Sequence, residues 1–243
     1  MVKIPGNPEE IFDDFVSDVK DIFSDHLISV LVTGSVAKGE YVPKKSDINF
    51  IIILSEEGMK KIPEYLDTSK KWYKAGVSIP LFLYKEYIES SLDSFPIEFL
   101  NIKNNSKTIY GEDLTGIIAI DNKDLRLQVE REIKGKLLKL RHAFFEIDLK
   151  PKAFRQFISV SISTFNPIFA AAVYLKENFY PKNQSEIYQK ISEIFSVEKD
   201  FFDRLIDIKQ DKIKVTGDSI TPLWEKYVQN IRTISLAIDK HVL

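Results

Sequence analysis

The chain of 243 residues contains no cysteine and only three histidines. Without cysteine it cannot form disulfides, use a thiolate nucleophile or build a cysteine-ligated zinc site. The histidines, His26, His142 and His241, lie far apart in the sequence, so an all-histidine metal site is not expected either. Any metal ion bound by this chain would therefore be held by oxygen atoms.

The chain also lacks an excess of charge, with 34 Lys and Arg against 36 Asp and Glu and a formal net charge of −2. A processive nucleic-acid polymerase usually has a basic groove, so this balance argues against nucleic acid and favours a small molecule or a protein as partner. Residues 1–10 lack the basic start and apolar run of a secretory signal, which predicts a cytoplasmic protein.

One long uncharged segment, Phe157 to Leu175, approaches the length needed to cross a bilayer. Six polar or helix-distorting residues interrupt it, which favours a buried central helix of a soluble bundle over a membrane span. They are Ser159, Ser161, Ser163, Thr164, Asn166 and Pro167. We therefore expect no membrane partner.

The first half of the chain alternates helical and strand-like segments. Hydrophobic spacing predicts helices over 8–23 and 56–74, the second interrupted near Pro63, and strands over 27–33, 47–54, 77–84, 97–102 and 108–110. After about residue 121, apolar residues recur at steps of three and four, which predicts five helices over 124–146, 152–176, 184–195, 197–209 and 222–240. The sequence thus predicts an α+β domain over residues 1–120, with a mixed sheet flanked by helices, followed by an all-α helical bundle over residues 121–243. An exposed apolar face of that bundle would allow a homodimer.

A polar constellation lies between the first two predicted strands. The buried strand ending at Thr33 runs into Gly34-Ser35, where a helix start would offer backbone N–H groups and a hydroxyl to a phosphate. The next strand opens with Asp47-Ile48-Asn49, and alternation places Asp47 and Asn49 on one face, about 6–7 Å apart along the strand. Two oxygen donors facing a phosphate cradle predict a magnesium–nucleotide site. Lys38, Lys44 and Lys45 would neutralise phosphate charge or, in the simpler interpretation, form a solvated turn.

These residues, together with Gly39 and the segment Pro96-Ile97-Glu98 through Tyr110-Gly111, resemble the Gly-Ser…Asp-x-Asp signature of the DNA-polymerase-β-like nucleotidyltransferases. That superfamily includes minimal and kanamycin-type enzymes. The resemblance implies that Gly34, Ser35 and Lys38 contact the nucleotide, that Asp47, Asn49 and Glu98 ligate Mg²⁺ or Mn²⁺, and that Asp47 and Glu98 are catalytic. It implies transfer of a nucleoside monophosphate from ATP or another triphosphate to a small-molecule or protein acceptor. Glu98 is expected on a later strand, where a charge between Ile97 and Phe99 also fits one solvated strand face.

Asn49 departs from the signature, because an amide stands where the superfamily has a second aspartate. An amide oxygen can ligate magnesium but brings no charge, whereas a two-metal site relies on carboxylates to offset repulsion between its cations. The alternative hypothesis is therefore a catalytically impaired nucleotide-binding or interaction module of the same fold, including an antitoxin-like partner of a helical toxin. Whether the chain is an enzyme stays open at this stage, with a nucleotidyltransferase favoured.

Overall fold

The computed structural model describes residues 3–240, which form two compact units. Within the described residues, the first unit comprises residues 3–93 and 98–120, and the second comprises residues 94–97 and 121–240. The first unit is a mixed sheet with helices on both faces, and the second is all helical, so the predicted fold class is confirmed.

The sheet of the first unit has four strands in the order β3-β2-β1-β4. The strands are β1 (Leu27–Thr33), β2 (Asn49–Leu54), β3 (Leu81–Tyr84) and β4 (Ser106–Gly111). β1 pairs antiparallel with both β2 and β4, whereas β2 and β3 are parallel. Because β1 and β2 are central and buried on both faces, they consist almost entirely of aliphatic residues.

Helix α1 (Phe12–Phe23) covers one face of the sheet. Its residues Phe15, Val19 and Phe23 recur every four positions and form one buried stripe. The ring of Phe15 stacks on Phe50 of β2 with centroids 3.9 Å apart. A 3₁₀ segment (Glu57–Tyr65), which contains Pro63, and α2 (Leu66–Tyr73) complete this layer, in the region predicted as a helix interrupted near Pro63.

The opposite face packs against α4 (Pro96–Asn105) through Leu31, Ile51 and Ile53. A short helix, α3 (Lys85–Ser91), contributes Ile88 to the same core. The sequence pattern did not indicate α3, and β3 is shorter than the predicted strand over 77–84. Of that strand's first part, Val77 forms only an isolated bridge with Ile48.

The second unit contains α5 (Asn122–Ile147), α6 (Pro151–Glu177), α7 (Gln184–Phe195), α8 (Lys199–Lys209) and α9 (Gly217–Asp239). Helix α9 begins earlier than predicted, because a capping box between Thr216 and Ser219 starts it and Pro222 lies inside. Ser196 ends α7 in the left-handed region.

Helix α6 is long and apolar enough to cross a membrane by length and composition, and it is the only such helix among the described residues. In its most apolar window, however, 61% of the residues are buried inside the protein. Ser161 of α6 bonds the hydroxyl of Tyr227 on α9 at 2.9 Å, inside the helical core. These features are those of a central bundle helix.

Candidate functional site

The candidate site lies where β1 ends and β2 begins. Thr33, the last residue of β1, is paired with Asn49, the first residue of β2. The chain enters β2 through Ile48, whose N–H donates to the carbonyl of Gly76 at 2.9 Å and whose carbonyl accepts from Ser78 N–H at 3.0 Å. The start of β2 is therefore held by its pairing with β1 on one side and by the hydrogen bonds of Ile48 on the other.

The segment after β1 is a compact turn. Gly34 has a φ of +70°, a left-handed conformation that favours glycine, and a Cβ there would lie 3.3 Å from Nδ2 of Asn49. The N–H of Lys38 donates to Gly34 at 3.2 Å and that of Glu40 to Ser35 at 2.8 Å. The predicted helix start at Gly34-Ser35 is therefore wrong: one helical turn forms and ends at Gly39, which also has positive φ.

The turn leaves backbone N–H groups available as hydrogen-bond donors, the groups that can bind a phosphate. Within the described part of the chain, the backbone N–H groups of Ser35, Val36 and Ala37 form no hydrogen bond, because they precede the first donor of the turn. Val36 packs against the core on the α1 side and anchors the turn. Consecutive N–H groups held in such a concave turn attract anions.

Asp47 and Asn49 stand at the entrance to β2. Asn49 shares a sheet face with Ile51 and Ile53, and its Nδ2 donates to the backbone carbonyl of Asp47 over a long 3.4 Å. The Asp47 carboxylate is exposed. Burial, and secondarily the negative charge of Asp47, raises the pKa of Tyr41, whose hydroxyl donates to the carbonyl of Pro5 at 3.2 Å.

The loop from Tyr41 to Asp47 carries exposed lysines. Two hydrogen bonds between Ser46 and Val42 close this loop. The Ser46 hydroxyl accepts from the N–H of Val42 at 3.1 Å, and the Ser46 N–H donates to the Val42 carbonyl at 2.9 Å. Lys38, Lys44 and Lys45 are exposed, and among the described residues none of them forms an ion pair. Three cations without carboxylate partners thus flank the turn.

Glu98 lies on a helix and not on the predicted strand. Pro96 is well suited to a helix start, and Glu98 falls in the first turn of α4, where the helix dipole favours an acid. Phe99 and Ile102, three residues apart, face the sheet core. The six-residue window 97–102 fits both periodicities, which explains the wrong prediction. Glu98 is exposed and is seven residues, or roughly 10 Å along the axis, from the last residue of α4.

The last residue of α4, Asn105, is the point where this helix reaches the candidate site. Its backbone carbonyl accepts a hydrogen bond from the Thr33 hydroxyl at 3.0 Å, and the next residue, Ser106, pairs with Thr33 in the sheet. Sequence reasoning missed both Thr33 and Asn105 as site residues. The only signal for Thr33 was its position immediately before Gly34.

The structure thus brings together Thr33, Gly34, Asp47 and Asn49, with Ser35 and Lys38 on the adjoining turn. Among the described residues, no group of three or more His, Asp or Glu side chains is arranged to hold a metal ion. Asp47 with an amide neighbour can supply one carboxylate and one neutral oxygen. That donor set suits a single Mg²⁺ that also binds phosphate oxygens, and it is too weakly charged for two metal ions.

No protein-family model matches this sequence, and a search of curated proteins finds no match. Among solved structures, the chain is similar to spectinomycin adenyltransferase AAD(9) from Enterococcus faecialis, a structure with ATP and spectinomycin. The TM-score is 0.50 at 13% sequence identity, and the match covers 94% of this chain and 99% of that one. At this identity the likeness concerns the fold, and the chain has a nucleotidyltransferase-like fold.

Proposed function

We propose that this protein is a magnesium-dependent nucleotidyltransferase that transfers a nucleoside monophosphate from ATP, or another nucleoside triphosphate, to a hydroxyl group of a small-molecule acceptor. The observation that carries the proposal is the pairing of Thr33 with Asn49, which sets the Gly34 turn beside Asp47. The shared fold with an adenyltransferase whose structure holds ATP and a small-molecule acceptor supports this choice.

In the proposed reaction, the acceptor oxygen attacks the α-phosphorus of the triphosphate. A new P–O bond forms to the acceptor, the bond from the α-phosphorus to the bridging oxygen breaks, and pyrophosphate leaves with those electrons. The N–H groups of Ser35 and Val36 and the Ser35 hydroxyl bind the outer phosphates. Lys38 adds a mobile positive charge beside them.

Asp47 and Asn49 would hold the divalent cation, which when bound neutralises phosphate charge. Asp47 would supply the charged ligand of that cation and Asn49 a neutral one. Glu98 is proposed as the general base that accepts the proton of the acceptor hydroxyl. Both carboxylates are exposed, so ligands can reach them from solvent.

Incubation with α-labelled ATP, Mg²⁺ or Mn²⁺ and a panel of hydroxyl-bearing small molecules tests the proposal. Label should move to an acceptor, pyrophosphate should appear in equal amount, and both should stop when the cation is omitted. An Asp47→Asn variant should show neither product. If the folded wild-type chain binds nucleotide but transfers no label to any acceptor under any of these conditions, the enzymatic proposal is wrong.

A second candidate function is nucleotide binding without catalysis, in an interaction module of the same fold. The observation that favours it is Asn49, whose amide contributes no charge and whose Nδ2 turns back to the carbonyl of Asp47. Under this hypothesis, Asn49→Asp tightens Mn²⁺ binding in the presence of ATP and creates transfer activity that the wild type lacks. Under the leading proposal, the wild type already transfers label and the variant changes its rate only modestly.

A further inference from the structure

Thr33 joins two elements that are distant in sequence. Its hydroxyl donates to the backbone carbonyl of Asn105, 72 residues later, at 3.0 Å. The last carbonyl groups of a helix lack partners within the helix, and Thr33 satisfies one of those at the end of α4. A local side chain satisfies another of them, because the Ser106 hydroxyl donates to the Ile102 carbonyl at 2.6 Å. Thr33 differs from Ser106 in that it belongs to β1 and is distant from α4 in sequence.

The hydrogen bonds continue along α4 toward its beginning. Asn105 is buried, with 6% of its surface exposed, and its Nδ2 donates to Oδ1 of Asn101 at 2.7 Å. Asn101 and Glu98 are three residues apart, so they lie on the same face of the helix. Polar groups therefore extend from the end of β1 to the first turn of α4.

We propose that Thr33 is a positioning residue that ties α4 to the Gly34 turn and so holds the helix carrying Glu98 in a fixed place relative to the phosphate-binding turn. The inference rests on the proposed function, since it assigns a role within the same site. Thr33 need not touch the nucleotide, because it acts through the backbone of Gly34 on one side and through α4 on the other.

The same strand offers a matched control. Ser29, four residues earlier on β1, donates its hydroxyl to the backbone carbonyls of Tyr110 at 3.0 Å and Glu112 at 2.7 Å. Ser29 is fully buried, and its hydrogen bonds link β1 to Tyr110 of β4 and to Glu112, which follows β4. Ser29 lies toward the other end of β1, so loss of its hydroxyl removes a comparable bond without touching the Gly34 turn.

The experiment compares Thr33→Val, Thr33→Ser and Ser29→Ala by calorimetric titration with Mg-ATP, after thermal unfolding has shown that each variant is folded. Thr33→Val should lower nucleotide affinity about three- to tenfold, the effect expected from one hydrogen bond. Thr33→Ser, which keeps the hydroxyl, should bind within about twofold of the wild type, and Ser29→Ala should bind like the wild type. If Thr33→Val does not fold, Thr33→Ala takes its place in the titration.

A double-mutant cycle with Glu98→Gln, read in the rate of label transfer from α-labelled ATP to an acceptor, separates positioning from a general loss of stability. If Thr33 acts on Glu98 through α4, the loss of rate caused by Thr33→Val should shrink when Glu98 is already replaced. Equal Mg-ATP affinity of Thr33→Val and wild type, or an equal loss of affinity in Ser29→Ala, or an unchanged loss of rate in the Glu98→Gln background would overturn the inference alone. A wild-type chain that binds no Mg-ATP would instead refute the proposed function, and the inference with it.

Discussion

The two ends of the β1–β2 pair differ sharply. At one end, Ser55 is hydrogen-bonded to His26 through both its main chain and its side chain. Its N–H donates to the His26 carbonyl at 2.9 Å, and its hydroxyl lies 2.9 Å from Nδ1 of the ring. The Ser55 hydroxyl also accepts the N–H of Gly58 at 3.2 Å. We call this the closed end, defined by His26, Ser55 and Gly58.

At the other end of the same two strands, Asp47 is exposed and Gly34, Ser35 and Asn49 are partly exposed. We call it the open end, defined by Gly34, Ser35, Asp47 and Asn49. Apart from the weak contact of Asn49 with Asp47, the side chains of these residues form no hydrogen bond or ion pair among the described residues. Unpartnered N–H groups beside an unpaired carboxylate are available to a ligand, and we therefore propose this end as the nucleotide site.

The largest effect should come from removing the charge at the open end. Asp47→Asn should weaken Mg-ATP binding roughly 100-fold, about 2.8 kcal/mol, because the proposed cation site would lose its charged ligand. Asp25→Asn, an exposed aspartate next to the closed end, is the matched control and should leave affinity unchanged. Calorimetric titration measures both. Equal affinities for the two variants would remove the distinction between the ends.

The next largest effects should come from glycine-to-alanine substitutions, which should change Mg-ATP affinity at the open end but not at the closed end. Gly34→Ala forces alanine into a left-handed conformation, at a cost of about 1–2 kcal/mol in the free energy of unfolding, and brings its Cβ against Asn49. We expect weaker Mg-ATP binding as well as lower stability, measured by urea unfolding and calorimetry.

The control for that change is Gly58→Ala at the closed end. Its Cβ would lie 2.8 Å from Cβ of His26 and 3.2 Å from Cβ of Leu54, positions close to the backbone that cannot easily move. It should lose about 1–3 kcal/mol of stability and keep the nucleotide affinity of the wild type. A loss of affinity as large as that of Gly34→Ala would contradict the assignment of the site to the open end.

Two serine substitutions should have opposite effects, one lowering stability alone and the other lowering Mg-ATP affinity alone. Ser55→Ala removes hydrogen bonds at the start of the 3₁₀ segment and should cost about 0.5–2 kcal/mol of stability without changing nucleotide affinity. Ser35→Ala should leave stability within about 0.5 kcal/mol of the wild type, because its hydroxyl has no partner among the described residues. It should instead lower Mg-ATP affinity about three- to tenfold, as expected for a lost phosphate hydrogen bond. If Ser35→Ala binds Mg-ATP as tightly as the wild type, its hydroxyl does not contact phosphate.

How far the sequence predicted this site depends on the range of the interactions. Gly34 and Asp47 could be predicted because each follows from its position at the end of a strongly aliphatic strand, and the pairing of those strands brings them together. Glu98 was assigned to the wrong element because six residues with apolar positions at both spacings do not distinguish a strand from a helix.

Thr33 and Asn105 could not be found from the sequence at all. Their contact depends on how α4 packs on the sheet and spans 72 residues, so no local pattern contains it. The short α3 was missed for a related reason: its few apolar residues are held by the sheet core more than by any helical pattern of their own.

The smallest expected effect concerns Tyr41. Burial raises the pKa of its phenol, and the negative charge of Asp47 raises it further. Asp47→Asn should therefore lower the pKa of Tyr41 without returning it fully to the usual tyrosine range, since burial remains. Difference absorbance of the phenolate on alkaline titration, with Tyr41→Phe subtracted in each background, measures the change. An unchanged pKa would mean that the Asp47 carboxylate does not raise the pKa of the Tyr41 phenol.

The most direct test of the central claim is paramagnetic broadening of backbone amide signals on addition of Mn-ATP to the isotope-labelled chain. A cation held at the open end should broaden the amides of Gly34, Ser35, Asp47 and Asn49 first and leave those of His26, Ser55 and Gly58 sharp. Mg-ATP, which is diamagnetic, should shift the same open-end signals without broadening them. Broadening centred on the closed end, or none at concentrations where ATP binds, would contradict the account.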